Sequence, residues 1–249
     1  MAMDIARGKY YFTADVHLGS KDDPRNLLEG QFVDFLHSLP EEAKALFLLG
    51  DIFDFWVDYR DVVPRGYVRV LAALAELVDR GVEVFFYPGN HDWWVTDYFI
   101  RELGVKTVHE CWSVVELDGR RICLGHGDIP QACDFRSKLI FRLFHSRFWI
   151  GVLRTLHPRL SFGLARKWSA SSRSRHPESS KTATAEDVRE FGLYRFAEGI
   201  GRKRAEAGEP AIDYFIFGHI HTPARIPVDG GGEFVVIGDW ADGPQYFCL

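Results

Sequence analysis

The sequence contains little cysteine and no long apolar run, and each shortage excludes a class of protein. Its four cysteines (Cys111, Cys123, Cys133 and Cys248) show no CxxC spacing and are too few for a disulfide scaffold, so we expect a reduced, cytosolic setting. No stretch reaches the roughly 18 apolar residues of a membrane-spanning helix, and the first residues lack the apolar core of a signal peptide. We therefore expect a soluble protein, or one attached only peripherally to a membrane.

A strong excess of either charge is also absent. The formal net charge of −5 over 249 residues identifies no partner. Hydrophobic residues make up 47% of the chain and aromatic residues 14%, which is enough to bury a sizeable core. We expect one globular domain over residues 1–249.

Short apolar segments alternate with a helical pattern in the first half of the chain. KYYFTA, ALFLLG and VEVFFYPG are bounded by turn residues and are predicted to be buried strands, and VRVLAALAELVDRG is predicted to be a helix. A hairpin with its turn at Asp118 and Gly119 follows, and then two more strands, AIDYFIFGH and EFVVIGDW. This order predicts a layered α/β sandwich rather than a simple doubly wound sheet.

A basic, aromatic segment interrupts this pattern. Residues 134–175 contain ten Lys or Arg, one acidic residue and seven Phe or Trp. The segment is predicted to be helical, within an insertion at about 134–190 between strands. It is either an ordinary helical insertion with a solvated basic face, or a cap over a site whose substrate carries both phosphate and lipid.

Polar clusters rich in glycine follow five apolar segments, in the order DxH, GDxxD, GNHD, GH and GHxH. Side chains at the carboxyl ends of strands in α/β folds converge on one crevice, and glycine allows the sharp turn that exposes them. One such cluster alone is weak evidence, but the five together are specific. The residues delivered to this edge are Asp15, His17, Asp51, Asp54, Asn90, His91, Asp92, His126, His219 and His221.

Oxygen and imidazole ligands without thiolates suit manganese, iron or zinc ions, and octahedral mixed sites favour the first two. Two ions about 3.5–4 Å apart need a shared ligand. A carboxylate can bridge two ions, and Asp51, at the GD strand end, is the natural bridge. Asn90 would add a ligand without adding negative charge, which keeps the site attractive to phosphate.

These motifs resemble those of the calcineurin-like metallophosphoesterases and span positions 15 to 221. The resemblance implies a four-layer αββα sandwich, two central sheets with helices outside. It also implies two divalent ions, with Mn²⁺ expected and Fe or Zn as alternatives. One ion would take Asp15, His17, Asp51 and His221, and the other Asp51, Asn90, His126 and His219.

A narrower resemblance covers nearly the whole chain. GDIFDFW, the insertion, SSKTATAEDV and the ending VVIGDW are similar to the UDP-2,3-diacylglucosamine pyrophosphohydrolases of lipid A synthesis. That resemblance implies a UDP-linked acyl sugar as substrate, a cytoplasmic enzyme with peripheral attachment to the inner membrane through the cap, and no nucleic-acid partner. The implied substrate contacts are Asn90, Asp134, Ser174, Lys181 and His219. Two positions depart from the best-known members, which have Arg at the position of His91 and Asn at that of Glu178.

Catalytic roles are predicted for His91, Asp54 and Asn90. His91 would donate a proton or hydrogen bond to the leaving oxygen. Asp54 would either orient His91 or only support a metal ligand, without contacting the ion itself. The alternatives are another phosphatase, nuclease or phosphodiesterase of the same superfamily, and a non-catalytic scaffold, which should have lost ligands that this chain retains.

Overall fold

The computed structural model describes residues 8–20, 23, 27–59, 61–128 and 184–249, with separate positions between 146 and 163. These residues form two five-stranded sheets, ordered β10-β1-β2-β3-β4 and β5-β6-β7-β9-β8. The strands are β1 Tyr10–Thr13, β2 Ala45–Leu48, β3 Glu83–Phe86, β4 Lys106–Thr107, β5 Ser113–Leu117, β6 Arg120–Gly125, β7 Tyr214–Phe217, β8 Ala224–Pro227, β9 Glu233–Val236 and β10 Phe247–Cys248. The helices with defined bounds are α1 Leu27–Ser38, α2 Val68–Asp79, α3 Tyr98–Leu103, α4 Ala185–Glu190 and α5 Gly192–Glu206.

Three apolar clusters separate the layers. The first joins helices α1 to α3 to the outer face of the first sheet, and the third covers the second sheet with α4 and α5. The middle cluster fills the space between the sheets, where Phe12, Phe47 and Phe85 stack with centroids 4.9 and 4.8 Å apart. The predicted four-layer αββα sandwich is confirmed.

The middle strands of each sheet run parallel and end at the same edge. In the first sheet β1, β2, β3 and β4 are parallel, and in the second β6, β7 and β9 are parallel. Their apolar residues are buried on both faces, as expected for strands between a helical layer and a second sheet. The loops that follow these strands therefore meet at one edge of the sandwich.

The predicted hairpin is confirmed and links the two sheets. Asp118 and Gly119 have φ values of 46° and 81°, the paired positive angles that a tight two-residue turn requires. Asp118 accepts hydrogen bonds from Lys44 at 3.0 Å and Lys9 at 3.3 Å, which lie next to strands of the first sheet. This holds the tip of the second-sheet hairpin against the first sheet.

Most of the basic, aromatic segment lies outside the described residues, and so do three of its aromatic residues, Phe141, Phe144 and Trp149. The end of the predicted insertion is described: α4 begins with Thr184 as its N-cap, and Val188 packs into the core of the second sheet. The bounds of the insertion, about 134–190, stay a prediction.

Candidate metal centre

The polar clusters named from the sequence lie in the loops after β1, β2, β3, β6 and β7. Main-chain hydrogen bonds hold the first two loops together, because His17 donates to the carbonyl of Asp51 at 2.9 Å. Asp15 joins the two sheets, since its Oδ2 accepts the amide N–H of His219 at 2.8 Å. The loops of both sheets thus form one cluster.

The backbone is unusual at the predicted ligands themselves. A positive φ costs roughly 1–2 kcal/mol for residues other than glycine, and such residues concentrate at functional sites. Five predicted ligands have φ values between 51° and 70°: Asp15, His17, Asp51, His219 and His221. Glycine is therefore not the only residue that makes these turns, because the predicted ligand often takes the left-handed conformation itself.

Glycine is still required where the cluster approaches the backbone. A Cβ on Gly50, whose φ is +83°, would lie 2.6 Å from Nδ1 of His126 and 2.7 Å from the amide nitrogen of Gly89. A Cβ on Gly218 would lie 2.5 Å from Oδ2 of Asp15. The GD and GH motifs therefore supply space as well as turns.

Replacing Gly50 by Ala should lower the free energy of unfolding by about 2–5 kcal/mol, because left-handed strain and a steric clash add together. Urea unfolding measures the change. Gly199→Ala is the matched control: Gly199 lies in α5 with no atom within 4 Å of an added Cβ, so the variant should gain up to about 1 kcal/mol. Equal unfolding midpoints for the Gly50 variant and the wild type would contradict this expectation.

Asp15, His17 and His221 form what we name the first donor set. Nε2 of His221 lies 3.4 Å from Oδ1 of Asp15 and 3.2 Å from Nε2 of His17. Oδ1 of Asp15 is buried and accepts no hydrogen bond from the part of the chain that the structure describes. His221 uses its other nitrogen, Nδ1, to donate to Oδ2 of Asp239 at 3.1 Å.

Asp51, Asn90, His126 and His219 form the second donor set. Nε2 of His126 lies 3.4 Å from Oδ2 of Asp51, 3.3 Å from Oδ1 of Asn90 and 3.2 Å from Nδ1 of His219. Nδ1 of His126 donates to the carbonyl of Leu49 at 2.9 Å, which assigns the lone pair of the neutral ring to Nε2.

Both donor sets fit divalent cations. Each places oxygen and imidazole nitrogen atoms 3.2–3.4 Å from one central Nε2 atom, close enough together to bind a single cation. Neither set contains a thiolate, so the donors suit Mn²⁺, Fe²⁺ or Zn²⁺.

The charges of the cluster agree with this fit. Burial raises the pKa of Asp51, but nearby imidazoles, chiefly those of His126 and His91, outweigh it and hold the pKa well below its usual range. Burial lowers the pKa of His221, but Asp15 and Asp239 outweigh it and raise the pKa to about 10. The carboxylates thus stabilise positive charge at the imidazoles, and either protons or metal ions can supply that charge.

His91 lies beside both sets and is 4% exposed. Its Nδ1 is 2.9 Å from the main-chain carbonyl oxygen of Asp54 and 3.7 Å from the Asp54 carboxylate, and its Nε2 is 4.0 Å from Oδ2 of Asp51. The hydrogen bond of Nδ1 is therefore made to the main-chain carbonyl of Asp54. The role of the Asp54 carboxylate, either orienting His91 or only supporting a ligand, stays a prediction.

Asp92 has a structural role that the sequence analysis left unassigned. Its two carboxylate oxygens accept the amide N–H groups of Asp51, Ile52, Phe53 and Gly89 at 2.8–3.2 Å. Burial, followed by the charge of Asp51, raises its pKa to about 7 against the effect of these donors. Asp92 thus connects the GNHD loop to the GD loop. The sequence signal for this role was its position in the GNHD motif, directly after Asn90 and His91.

Asp239 was also missed, although it belongs to the quoted ending VVIGDW. The predicted substrate contacts Asp134, Ser174 and Lys181, and the departing position Glu178, lie outside the described residues. Asn90 and His219, the other two predicted contacts, belong to the second donor set.

Comparison with known proteins agrees with this geometry. The family model described as calcineurin-like phosphoesterase matches residues 8–223. The chain belongs to that family. Calcineurin-like phosphoesterases use divalent metal ions. The candidate sites for them in this member are the two donor sets and a third group, formed by His17, Asp54 and His91.

Three relatives of this calcineurin-like phosphoesterase carry the same enzyme name. The UDP-2,3-diacylglucosamine hydrolase of Porphyromonas gingivalis is 39% identical, over 94% of this chain and 91% of its own length. Those of Xanthomonas oryzae pv. oryzae and Haemophilus influenzae are 30% and 28% identical, each over 92% of this chain and 90% of its own length.

Proposed function

We propose that this phosphoesterase hydrolyses the pyrophosphate of UDP-2,3-diacylglucosamine, releasing UMP and 2,3-diacylglucosamine 1-phosphate. The observation that carries the proposal is the 39% identity, over 94% of the chain, to a relative named for that substrate. The two donor sets support the proposal, since both lie at one edge of the sandwich and both fit divalent cations.

The proposed ligands are those implied by the resemblance. Asp15, His17 and His221 would hold one ion, and Asn90, His126 and His219 the other, with Asp51 shared between them. When bound, two divalent ions supply Lewis-acid chemistry, activating water and offsetting phosphate charge. Mn²⁺ is the expected metal.

The protein groups around the ions would then control the proton and the geometry. The Asp54 carbonyl accepts from Nδ1 of His91, so Nε2 is the nitrogen on the side of Asp51 and the donor sets. In its imidazolium form His91 would also carry a proton on Nε2. That proton would pass to the leaving phosphate oxygen as the bond to phosphorus breaks, leaving a neutral ring with its proton on Nδ1. The amide of Asn90 would contact phosphate without repelling it.

The acyl sugar is proposed to bind the insertion. Residues 134–175 of the insertion contain ten Lys or Arg and seven Phe or Trp, which suit a substrate with an anionic pyrophosphate and apolar chains. Asp134, Ser174 and Lys181 are the proposed contacts in the insertion. In the described part of the chain no helix is both long and apolar enough to cross a membrane. We propose peripheral attachment to the inner membrane from the cytoplasm, and no nucleic-acid partner.

The proposal predicts a strong preference for the diacyl substrate. With Mn²⁺ present, kcat/KM for UDP-2,3-diacylglucosamine should exceed that for an aryl phosphodiester by at least about 100-fold. That factor corresponds to about 2.7 kcal/mol of binding free energy, which burying four acyl methylenes at about 0.8 kcal/mol each would supply. Phosphorus NMR should show UMP and a sugar 1-phosphate as the products. Comparable kcat/KM values for the two substrates would leave the chain a phosphoesterase of a different substrate.

A further inference from the structure

The segment 238–240, which follows β9, lies against the first donor set. Oδ2 of Asp239 accepts a hydrogen bond from Nδ1 of His221 at 3.1 Å, while its Oδ1 accepts the amide N–H of Ala241 at 3.2 Å. The carboxylate is thus held by its own loop on one side and reaches the imidazole with its other oxygen. The side chain of Asp239 is 31% exposed, so the pair sits at the rim of the cluster.

His221 differs from His126 and His91 in the partner of its Nδ1 atom. Nδ1 of His126 and Nδ1 of His91 each contact a main-chain carbonyl oxygen at 2.9 Å, whereas Nδ1 of His221 contacts a carboxylate. A carboxylate partner fixes the imidazole tautomer and makes the opposite nitrogen a more basic ligand. His221 needs this support more than His126 does, because its side chain is 28% exposed and that of His126 is 1% exposed.

Trp240 fixes Asp239 to the strand that carries Asp15. Its Nε1 donates to Oγ1 of Thr13 at 3.0 Å, and its amide donates to the carbonyl of Asp15 at 3.3 Å. The fully buried indole packs edge-on against Phe32 and Phe35, with centroids 5.2 and 5.6 Å away. Asp239 and Asp15 therefore keep a fixed separation, with His221 held between them.

We propose that Asp239 is a positioning residue of the first donor set, which fixes the Nδ1-protonated tautomer of His221 and directs Nε2 toward Asp15 and His17. The proposal rests on the proposed metal-dependent function and adds a residue to its architecture. In this role Asp239 acts through His221 and is not itself a proposed ligand.

Metal titration tests the proposal directly. In Asp239→Ala the affinity for one of two Mn²⁺ ions, measured by calorimetry, should fall 10- to 100-fold, the usual effect of removing such a partner, while the other site keeps its wild-type affinity. The affinity of Asp239→Asn for that ion should lie between those of Asp239→Ala and the wild type, because its amide oxygen still accepts the hydrogen bond but carries no charge. Asp229→Ala, on the exposed turn between β8 and β9, is the control and should bind both ions normally.

A spectroscopic signature separates positioning from a general structural role. In the Zn²⁺-loaded wild type, labelled with ¹⁵N-histidine, the Nδ1 proton of His221 should give a low-field signal that exchanges slowly with water. The signal should vanish in Asp239→Ala and persist in Asp229→Ala, and its loss in His221→Gln would assign it.

The outcomes distinguish the two proposals. A wild-type protein that binds no divalent ion would overturn the metal centre and this role together. Two Mn²⁺ ions bound with wild-type affinity by Asp239→Ala, or an unchanged Nδ1 signal in it, would overturn the positioning role alone. If Asp239→Ala does not fold, Asp239→Asn decides, and equal affinity in Asn and wild type would again overturn the role.

Discussion

Asp51→Ala should reduce turnover by more than about 10³-fold, beyond the 10²–10³ usually lost with one electrostatic stabiliser. The expected loss is large because Asp51 is the proposed bridge, so both ions would lose a ligand. The carboxylate is 2% exposed, lies 3.4 Å from Nε2 of His126, and accepts the amide N–H of His91 at 2.8 Å. Activity with added Mn²⁺ and the metal content of the purified variant measure the effect.

A second substitution at Asp51 separates chemistry from folding. Alanine is disfavoured at the φ of 52° found there, whereas Asn tolerates the left-handed conformation and can still accept from the His91 amide. Asp51→Asn should therefore keep the wild-type unfolding midpoint and still lose activity and metal. If Asp51→Asn hydrolysed substrate at the wild-type rate, no bridging carboxylate would be needed and the proposed dinuclear centre would be wrong.

His91→Ala should lower kcat by roughly 10²–10⁴-fold, the usual contribution of a general acid. Mn²⁺ content should change little, because His91 belongs to neither donor set. Single-turnover kinetics at saturating Mn²⁺ isolates the chemical step from metal binding and product release.

Two further variants sharpen the test of His91. Asp54→Ala should cost less than His91→Ala, because the main-chain carbonyl that orients the ring at 2.9 Å remains. His37→Ala, which removes an exposed imidazole paired with Glu76 on the surface, should leave kcat unchanged. A normal kcat for His91→Ala would show that the proton reaches the leaving group by another route.

The arrangement of strands and ligand loops could be predicted because it depends on local patterns. Buried apolar segments that end in Gly-Asp or Gly-His give both the strand and its functional end, and Asp118-Gly119 gives the hairpin turn by its own backbone preference. These features involve residues next to each other in the chain, so composition over a few positions is sufficient to find them.

The supporting contacts could not be predicted in the same way. Asp92 bonds to backbone amides about 40 positions away, and Asp239 meets His221 only because β9 lies beside β7. The choice between the carbonyl and the carboxylate of Asp54 depends on a loop conformation that residue type does not specify. Such contacts are set by strand order and loop geometry, which the pattern of apolar residues leaves undetermined.

The left-handed backbone at five proposed ligand positions gives the proposed centre an evolutionary cost. A glycine at any of them would relieve roughly 1 kcal/mol of strain, and at the same time would delete a proposed ligand. Selection for stability alone would therefore erode the cluster position by position, and only continued selection for hydrolysis opposes that drift. A descendant freed from catalysis should lose these aspartates and histidines to glycine or asparagine while its sandwich core, built from other residues, stays intact.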